Sequence, residues 1–380
     1  MIKTVLLTAR SACAAWGILE IWRYASLDEN LNVHVAAQEP AVTILKNHNV
    51  PILVIDLPPA VEPNDSDSKK ILSYTKKLLS DISPSVVLVG LSTPGEGGID
   101  EAVLALAECP SFMLQDFWGD SNLFFGKHPD CYLVADKEAA LATERRHHKP
   151  SFILGSPRHA KYAQLDFNLL RDKTLKKLGL EHDAIVHGFF CQPLTCSGYL
   201  ATVRIWGEAV KVVSHTKIIY RPHPASNQQQ INDIKNIFFE CSLDFITLEG
   251  GAVEPIIAAC TSISNAMSNS NVDAVFINHF SSQLIACPIY LLYNKEVVEF
   301  LDVFQSADSI PTVEQGVSLL VRDSTQMVLV LKKSINPKLR ERLWLNARKI
   351  PNPMEAVHKV KYLLLNPENF LLNNMNNDFV

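Results

Sequence analysis

The sequence predicts an α/β protein made of two Rossmann-like, doubly wound parallel sheets in series, facing a central cleft. Three observations predict it. Short apolar runs without polar alternation recur along the chain, as at Ile2–Thr8, Val86–Leu91 and Ala184–Phe189, and such runs are strands buried on both faces. Helical spacing separates most of them, as at Lys70–Asp81 and Asp100–Glu108, which is the pattern of βαβ units. The length of 380 residues accommodates two domains of ordinary size.

Composition narrows the class. A hydrophobic content of 47% with 20% charged residues belongs to a globular chain with a sizeable core. A net charge of −5 without a lysine-rich stripe argues against a nucleic-acid partner. The eight cysteines are scattered, with no C-x-x-C, and Cys191 and Cys196 are the closest pair. Neither a disulfide framework nor a zinc site is expected, and a reducing cytoplasm is the simplest location. The apolar run after Met1 is interrupted at Arg10, which reads as an inner strand rather than a signal peptide. No stretch approaches the roughly eighteen apolar residues of a membrane span. Membrane contact is expected to be peripheral at most, at the inner face.

The first half opens with the strand Ile2–Thr8 and a helix carrying Ala14, Ile18, Leu19 and Trp22 at helical spacing. Val33–Ala36, Ile52–Asp56, Val86–Leu91, Phe112–Gln115, Tyr132–Ala135 and Phe152–Leu154 follow as short strands, with a further helix at Lys137–Arg146. The first strand ends in Thr8-Ala9-Arg10-Ser11, so the G-x-G-x-x-G dinucleotide fingerprint is missing, and no P-loop occurs anywhere.

The second series runs strand 184–189, helix 197–210, strand 216–220, helix 226–239, strand 245–248, helix 253–260, strand 262–264, helix 272–279 and strand 289–293. Segments 311–321 and 324–334 read as helical or mixed. Pro353–Leu365, with Met354, Val357, Val360 and Leu364 near one face, reads as a closing helix. The expected domains are 1–180 and 181–352, with 353–380 as a helix packing back on the first plus a frayed polar tail.

The most informative stretch is Ile218-Ile219-Tyr220-Arg221-Pro222-His223-Pro224-Ala225-Ser226. Each proline holds the residue before it extended and gives no N–H to a sheet. The strand must end here, with Arg221 and His223 at its carboxyl end. Ser226 and Gln229 make a capping box that predicts a helix start. An arginine, a histidine and a helix N-terminus together form a candidate phosphate site, and a solvated strand-to-helix turn is the competing reading.

Four segments of the second half then fall in a telling order: Phe189-Phe190-Cys191-Gln192-Pro193, Tyr220-Arg221-Pro222-His223-Pro224, Glu249-Gly250-Gly251, and Ser264-Asn265-Ala266-Met267-Ser268-Asn269-Ser270-Asn271-Val272-Asp273. This order resembles the nucleotide-binding domain of GT-B glycosyltransferases with a histidine–proline motif. That group includes the CDP-glycerol glycerophosphotransferases, capsule-polysaccharide transferases and bacterial sialyltransferases. The resemblance covers roughly Ala184–Leu292, and its motifs are short. It implies that His223 meets the donor phosphate, that Ser268 and Ser270 cradle phosphates, and that Asp273 reaches the ribose. Cys287-Pro288-Ile289 stands where those families often have Gly-x-Pro. Arg221, Gln192 and Glu249 are the further donor-side candidates. Independently, hydroxyls and free N–H groups opening a helix favour an anion. Taken singly, Asp273 reads first as a helix-capping carboxylate, and Glu249 reads equally as a plain loop residue.

Transfer to a hydroxyl needs a general base. Glu96, in the glycine-rich loop Ser92-Thr93-Pro94-Gly95-Glu96-Gly97-Gly98, is one candidate. Asp116, beside Phe117 and Trp118, is the other, with a loop-capping role as its alternative. Arg10, Ser11 and Thr93 are the acceptor-side candidates. An arginine at a helix start opposes the dipole and so invites an anion, although a surface charge is the simpler reading. His159 reads as a solvated loop histidine. No His/Asp/Glu spacing suggests a metal site, so no cofactor is expected beyond a nucleotide-activated donor as substrate.

The expected function is a metal-independent glycosyltransferase, moving a sugar or polyol phosphate from a nucleotide-sugar or CDP-linked donor to a glycan or lipid-linked acceptor in polysaccharide biosynthesis. A UDP-sugar 2-epimerase-like isomerase and a non-catalytic nucleotide-binding homologue are the alternatives.

Overall fold

The computed structural model describes residues 2–92, 94–115, 118–194, 196–213, 216–302 and 310–375. The chain divides into two compact units: residues 1–161 with 351–380, and residues 162–350.

The first unit comprises β1 (Lys3–Ala9), α1 (Ala12–Ala25), β2 (Leu31–Ala37), α2 (Ala41–Asn47), β3 (Leu53–Val54), α3 (Ser66–Ile82), β4 (Val86–Gly90) and α4 (Ile99–Leu106). It continues with β5 (Ser111–Leu114), β6 (Cys131–Val134), α5 (Lys137–His147) and β7 (Ser151–Ile153). Its seven-stranded sheet has the order β3-β2-β1-β4-β5-β6-β7, and every pairing is parallel. All five residues of β4 and the last five of β1 are buried, as an inner strand covered on both faces requires.

The second unit comprises α6 (Phe167–Lys177), β8 (Ile185–Phe190), α7 (Ser197–Val212), β9 (Thr216–Arg221), α8 (Gln228–Glu240), β10 (Phe245–Thr247), α9 (Val253–Ala259) and β11 (Ser262–Asn265). Then come α10 (Asn269–Phe280), β12 (Cys287–Leu291), α11 (Lys295–Asp302), α12 (Pro311–Glu314), β13 (Leu319–Val321), α13 (Met327–Ser334) and α14 (Pro337–Ala347). Its parallel sheet has the order β10-β9-β8-β11-β12-β13. Phe189, Trp206, Tyr220 and Phe238 are fully buried on one face of it. Val186, Ile219, Ile257 and Ile263 pack on the other.

The chain closes with α15 (Pro353–Leu365) and α16 (Pro367–Met375). Ala356, Val360, Leu363 and Leu364 of α15 bury in the first unit's core with Ile18, Val5 and Leu7.

Several boundaries differ from the sequence reading. Segment 162–180 belongs to the second unit, because Phe167 and Leu175 bury against Val186, Ile256 and Ile257 there. Helix α8 begins one step later than the proposed cap. Asn227, not Ser226, accepts from Gln230 N, and Gln230 reaches back to Asn227 N at 2.8 Å. Helix α10 begins at Asn269, three residues earlier than its apolar pattern, because Ser268 caps it. Strand β12 lies two residues earlier, at Cys287–Leu291.

Candidate functional site

In open parallel sheets ligands gather beyond the carboxyl ends of strands, where the strand order reverses. That point lies between β1 and β4 in the first sheet and between β8 and β11 in the second. Each unit carries a polar constellation there.

In the second unit, β9 carries Arg221 to its last position and Pro222 ends the ladder. The half-buried His223 ring accepts the Ala225 N–H on Nδ1 at 3.1 Å. Burial lowers its pKa, so the ring is neutral at pH 7. With Nδ1 accepting, the neutral ring carries its proton on Nε2, as a donor.

Ser268 opens α10. Its hydroxyl accepts from Ser270 N at 3.2 Å and donates to Ser270 Oγ at 3.2 Å. Two fully buried asparagines shape this turn: Asn265 Oδ1 accepts from Ser268 N at 2.8 Å, and Asn265 Nδ2 donates to Asn271 Oδ1 at 2.9 Å. The two serines thus open a twelve-residue helix whose first N–H groups carry its positive dipole end.

Gln192 and Arg221 position loops. Gln192 exchanges two hydrogen bonds with the Met267 backbone, donating to its carbonyl at 2.8 Å and accepting its N–H at 2.6 Å. The loop after β8 thereby grips the turn before α10. Arg221 donates to the carbonyls of Gly250 and Gly251 at 2.7 and 2.8 Å. Both glycines have positive φ, 67° and 70°, a conformation that needs a residue without a Cβ. Glu249 is exposed and paired with Lys235 at 3.4 Å. Asp273 is the fifth residue of α10, so it lies beyond the first turn where the sequence placed it.

In the first unit, the loops after β1 and β4 are joined by charge. Arg10 Nη1 donates to Glu96 Oε2 at 2.7 Å and Nη2 to the Glu96 carbonyl at 3.2 Å. The Arg10 side chain is 5% exposed and that of Glu96 is 41% exposed. The buried arginine is therefore no surface charge, and the carboxylate it holds reaches solvent. Gly98 makes room for it: a Cβ there would lie 2.5 Å from Arg10 Cδ. Ser11 caps α1 and donates to the Leu91 carbonyl at 2.8 Å, so its hydroxyl is committed to structure. Thr93 and Asp116 lie outside the described residues.

The sequence reading missed two buried acids. Asp100 is fully buried, accepting from Thr8 Oγ1 at 2.5 Å and from Arg10 N at 3.0 Å. Glu101 accepts from Ser92 Oγ, from Gly98 N at 2.8 Å and from Asn122 Nδ2 at 2.9 Å. Burial raises the pKa of both, the Glu101 charge adding to it for Asp100 and Arg10 opposing it. The one available signal was the pair of acids in the first turn of α4, which sequence alone reads as an ordinary dipole-favoured start. His159 is also buried, its Nδ1 lying 2.7 Å from Ser156 Oγ, and so is not a solvated histidine. Among the described residues no group of three or more His, Cys, Asp or Glu could hold a metal ion. Among them, too, no helix is long and apolar enough to cross a membrane.

No family model matches the chain, and no curated protein matches it in sequence. Solved structures match along the whole length. A putative UDP-N-acetylglucosamine 2-epimerase from Listeria monocytogenes superposes with a TM-score of 0.70 at 11% identity, over 100% of each chain. MnaA of S. aureus, solved with UDP, gives 0.65 at 15%, over 98% of each. A glycosyltransferase from Rickettsia africae gives 0.64 at 9%, over 99% of this chain and 100% of that one. At such identities the likeness is one of fold: two Rossmann-like sheets of the GT-B kind.

Proposed function

We propose that the protein acts on a nucleotide-activated sugar. The observation that carries this reading is His223, set at a strand end with Nδ1 occupied and its Nε2–H left to donate. Such a donor stabilises the charge that grows on a phosphate as the nucleotide leaves. The Ser268 and Ser270 hydroxyls and the α10 N–H groups add to it, so positive potential comes from the protein without a required cation. Gln192 and Arg221 act as positioning residues for these loops. Asp273 is the candidate for the ribose and Glu249 a peripheral one.

Within that class we propose transfer to a glycan or lipid-linked acceptor, in polysaccharide assembly. The first unit supplies the acid–base group. Glu96 is held in place by Arg10 at 2.7 Å and is open to solvent, the placement a general base needs. Asp116 is the second candidate base, and Thr93 an acceptor-side residue.

An epimerase reading is favoured by a different observation. Arg10, Glu96, Asp100 and Glu101 cluster at one switch point, and an isomerase works several acids and bases around one sugar carbon. Two measurements separate the readings. A panel of UDP-, CMP-, CDP- and GDP-linked sugars is screened for a rise in melting temperature, which binding to the native state produces. The donor that binds is then incubated in heavy water. Transfer leaves the sugar carbons protiated and yields free nucleotide with glycosylated acceptor, whereas epimerisation places deuterium on the inverted carbon. If no donor shifts the melt, the nucleotide-sugar reading falls.

A further inference from the structure

The amino-terminal edge of the second sheet, opposite the His223 end, opens on a cavity of about 620 Å³. Ile185 at the start of β8, Thr261 before β11, and Leu284 and Ile285 before β12 line it, with Arg171 of α6 and Arg340 and Trp344 of α14.

Among the described residues, neither arginine has a carboxylate partner. Arg340 gives its Nη hydrogens to the carbonyls of Thr261, Ser334, Leu284 and Ile285, at 2.8, 3.1, 2.7 and 3.1 Å. Arg171 gives its own to Ala258, Ala259, Cys260 and Ala184, at 3.0, 3.0, 3.1 and 3.3 Å. Carbonyls fix the two groups in place without cancelling a full charge. Asp172, itself bonded to His182 at 3.1 Å, offsets part of the Arg171 charge. Burial lowers the pKa of both, and Arg171 lowers that of Arg340 further. Asp183 and Glu341 also line the space, both exposed and neither ion-paired with an arginine. Among the described residues, the Nε–H of neither guanidinium makes a hydrogen bond, and each arginine lines the cavity.

We propose that this cavity binds a phosphate ester, its phosphoryl group on the Nε–H edges of Arg171 and Arg340 and its sugar or ring against Leu284, Ile335 and Trp344. Arginine–phosphate bonds are charge-assisted and among the stronger hydrogen bonds. A phosphate monoester carries roughly two negative charges at neutral pH, which matches two guanidinium groups; a monocarboxylate leaves one unmatched. The Trp344 N–H is already given to the Ser281 carbonyl at 2.9 Å, so the ligand needs only the ring surface. The volume falls within the range of small-molecule pockets. The site is independent of the donor reading, since ligands of such sheets otherwise gather at the carboxyl ends.

The test is calorimetric titration of the full chain with a hexose 6-phosphate at fixed ionic strength, with the free hexose as control. Wild type and His223→Ala bind the sugar phosphate equally. Ser282→Asp alters an exposed residue whose Oγ accepts from Asn168 at 2.9 Å, a bond an aspartate keeps. It adds a carboxylate to the lining and weakens binding by about tenfold or more. Arg340→Gln, checked for folding by circular dichroism, does the same. No heat from the sugar phosphate at millimolar concentration overturns the proposal. So does unchanged binding in Ser282→Asp, or loss confined to His223→Ala, which would assign the phosphate to the other end of the sheet.

Discussion

The Arg10 guanidinium holds the Glu96 carboxylate at 2.7 Å, across the loops that follow β1 and β4. The arginine is sealed in and the acid is not, so the pair leaves a carboxylate facing solvent on a fixed mount.

Glu96→Gln therefore keeps nucleotide affinity and lowers turnover by about two to four orders of magnitude, the usual share of a general base. Turnover and nucleotide dissociation constants, measured on the same preparation, check this. Normal turnover in Glu96→Gln passes the role to Asp116, tested as Asp116→Asn.

His223→Ala removes one donor to the leaving phosphate and lowers turnover by about two to three orders of magnitude. Among the described residues the ring makes one hydrogen bond, accepting the local Ala225 N–H, so the ligand-free melting temperature barely moves. Between pH 7 and 8 the neutral ring keeps its Nε2–H, and nucleotide affinity stays flat there. A badly destabilised variant that binds nucleotide normally would falsify the donor role.

Arg221→Lys separates positioning from ligand contact. Lysine cannot match both glycine carbonyls at once, and one lost hydrogen bond to a charged group costs about 1.5–3 kcal/mol. The expected outcome is a lower urea midpoint with nucleotide affinity within a few fold of wild type. A large loss of affinity without destabilisation would make Arg221 a direct ligand contact.

Acid stability should follow His187. Its ring is fully buried on β8, with Nδ1 2.6 Å from Ser262 Oγ, and burial pushes its pKa down to about 4. Between pH 6.5 and 4 the unfolded chain takes a proton that the folded chain refuses, so stability falls as pH falls through that window. The loss approaches 3 kcal/mol, roughly, by pH 4. His187→Asn should flatten that slope in urea melts at pH 5 and 7. The Asp100 and Glu101 pair has the opposite sign, because raised carboxyl pKa values make the folded state the better proton acceptor.

The sequence was most legible where covalent geometry acts locally. Two prolines fixed the end of β9 and the placement of His223, and unbroken apolar runs marked the inner strands. What it hid was non-local. The grip of Gln192 on Met267 spans 75 residues, and nothing near position 192 announces it. Asp100 and Glu101 look like any acidic first turn until the sheet closes over them. The start of α10 was misplaced because its first turn is polar, and periodicity of apolar residues cannot see a turn whose asparagine points inward to the strands.

Because α15 completes the first unit's core, that unit is the last to have all its parts during synthesis. Residues 162–350 leave the ribosome whole before Ala356, Val360 and Leu364 exist, while the α1 surface they cover is made first of all. The first unit must wait with an open apolar face for its final helix, a stage at which partly folded chains associate wrongly. Stop codons or proteolysis near residue 350 are therefore far more damaging than the loss of thirty terminal residues suggests.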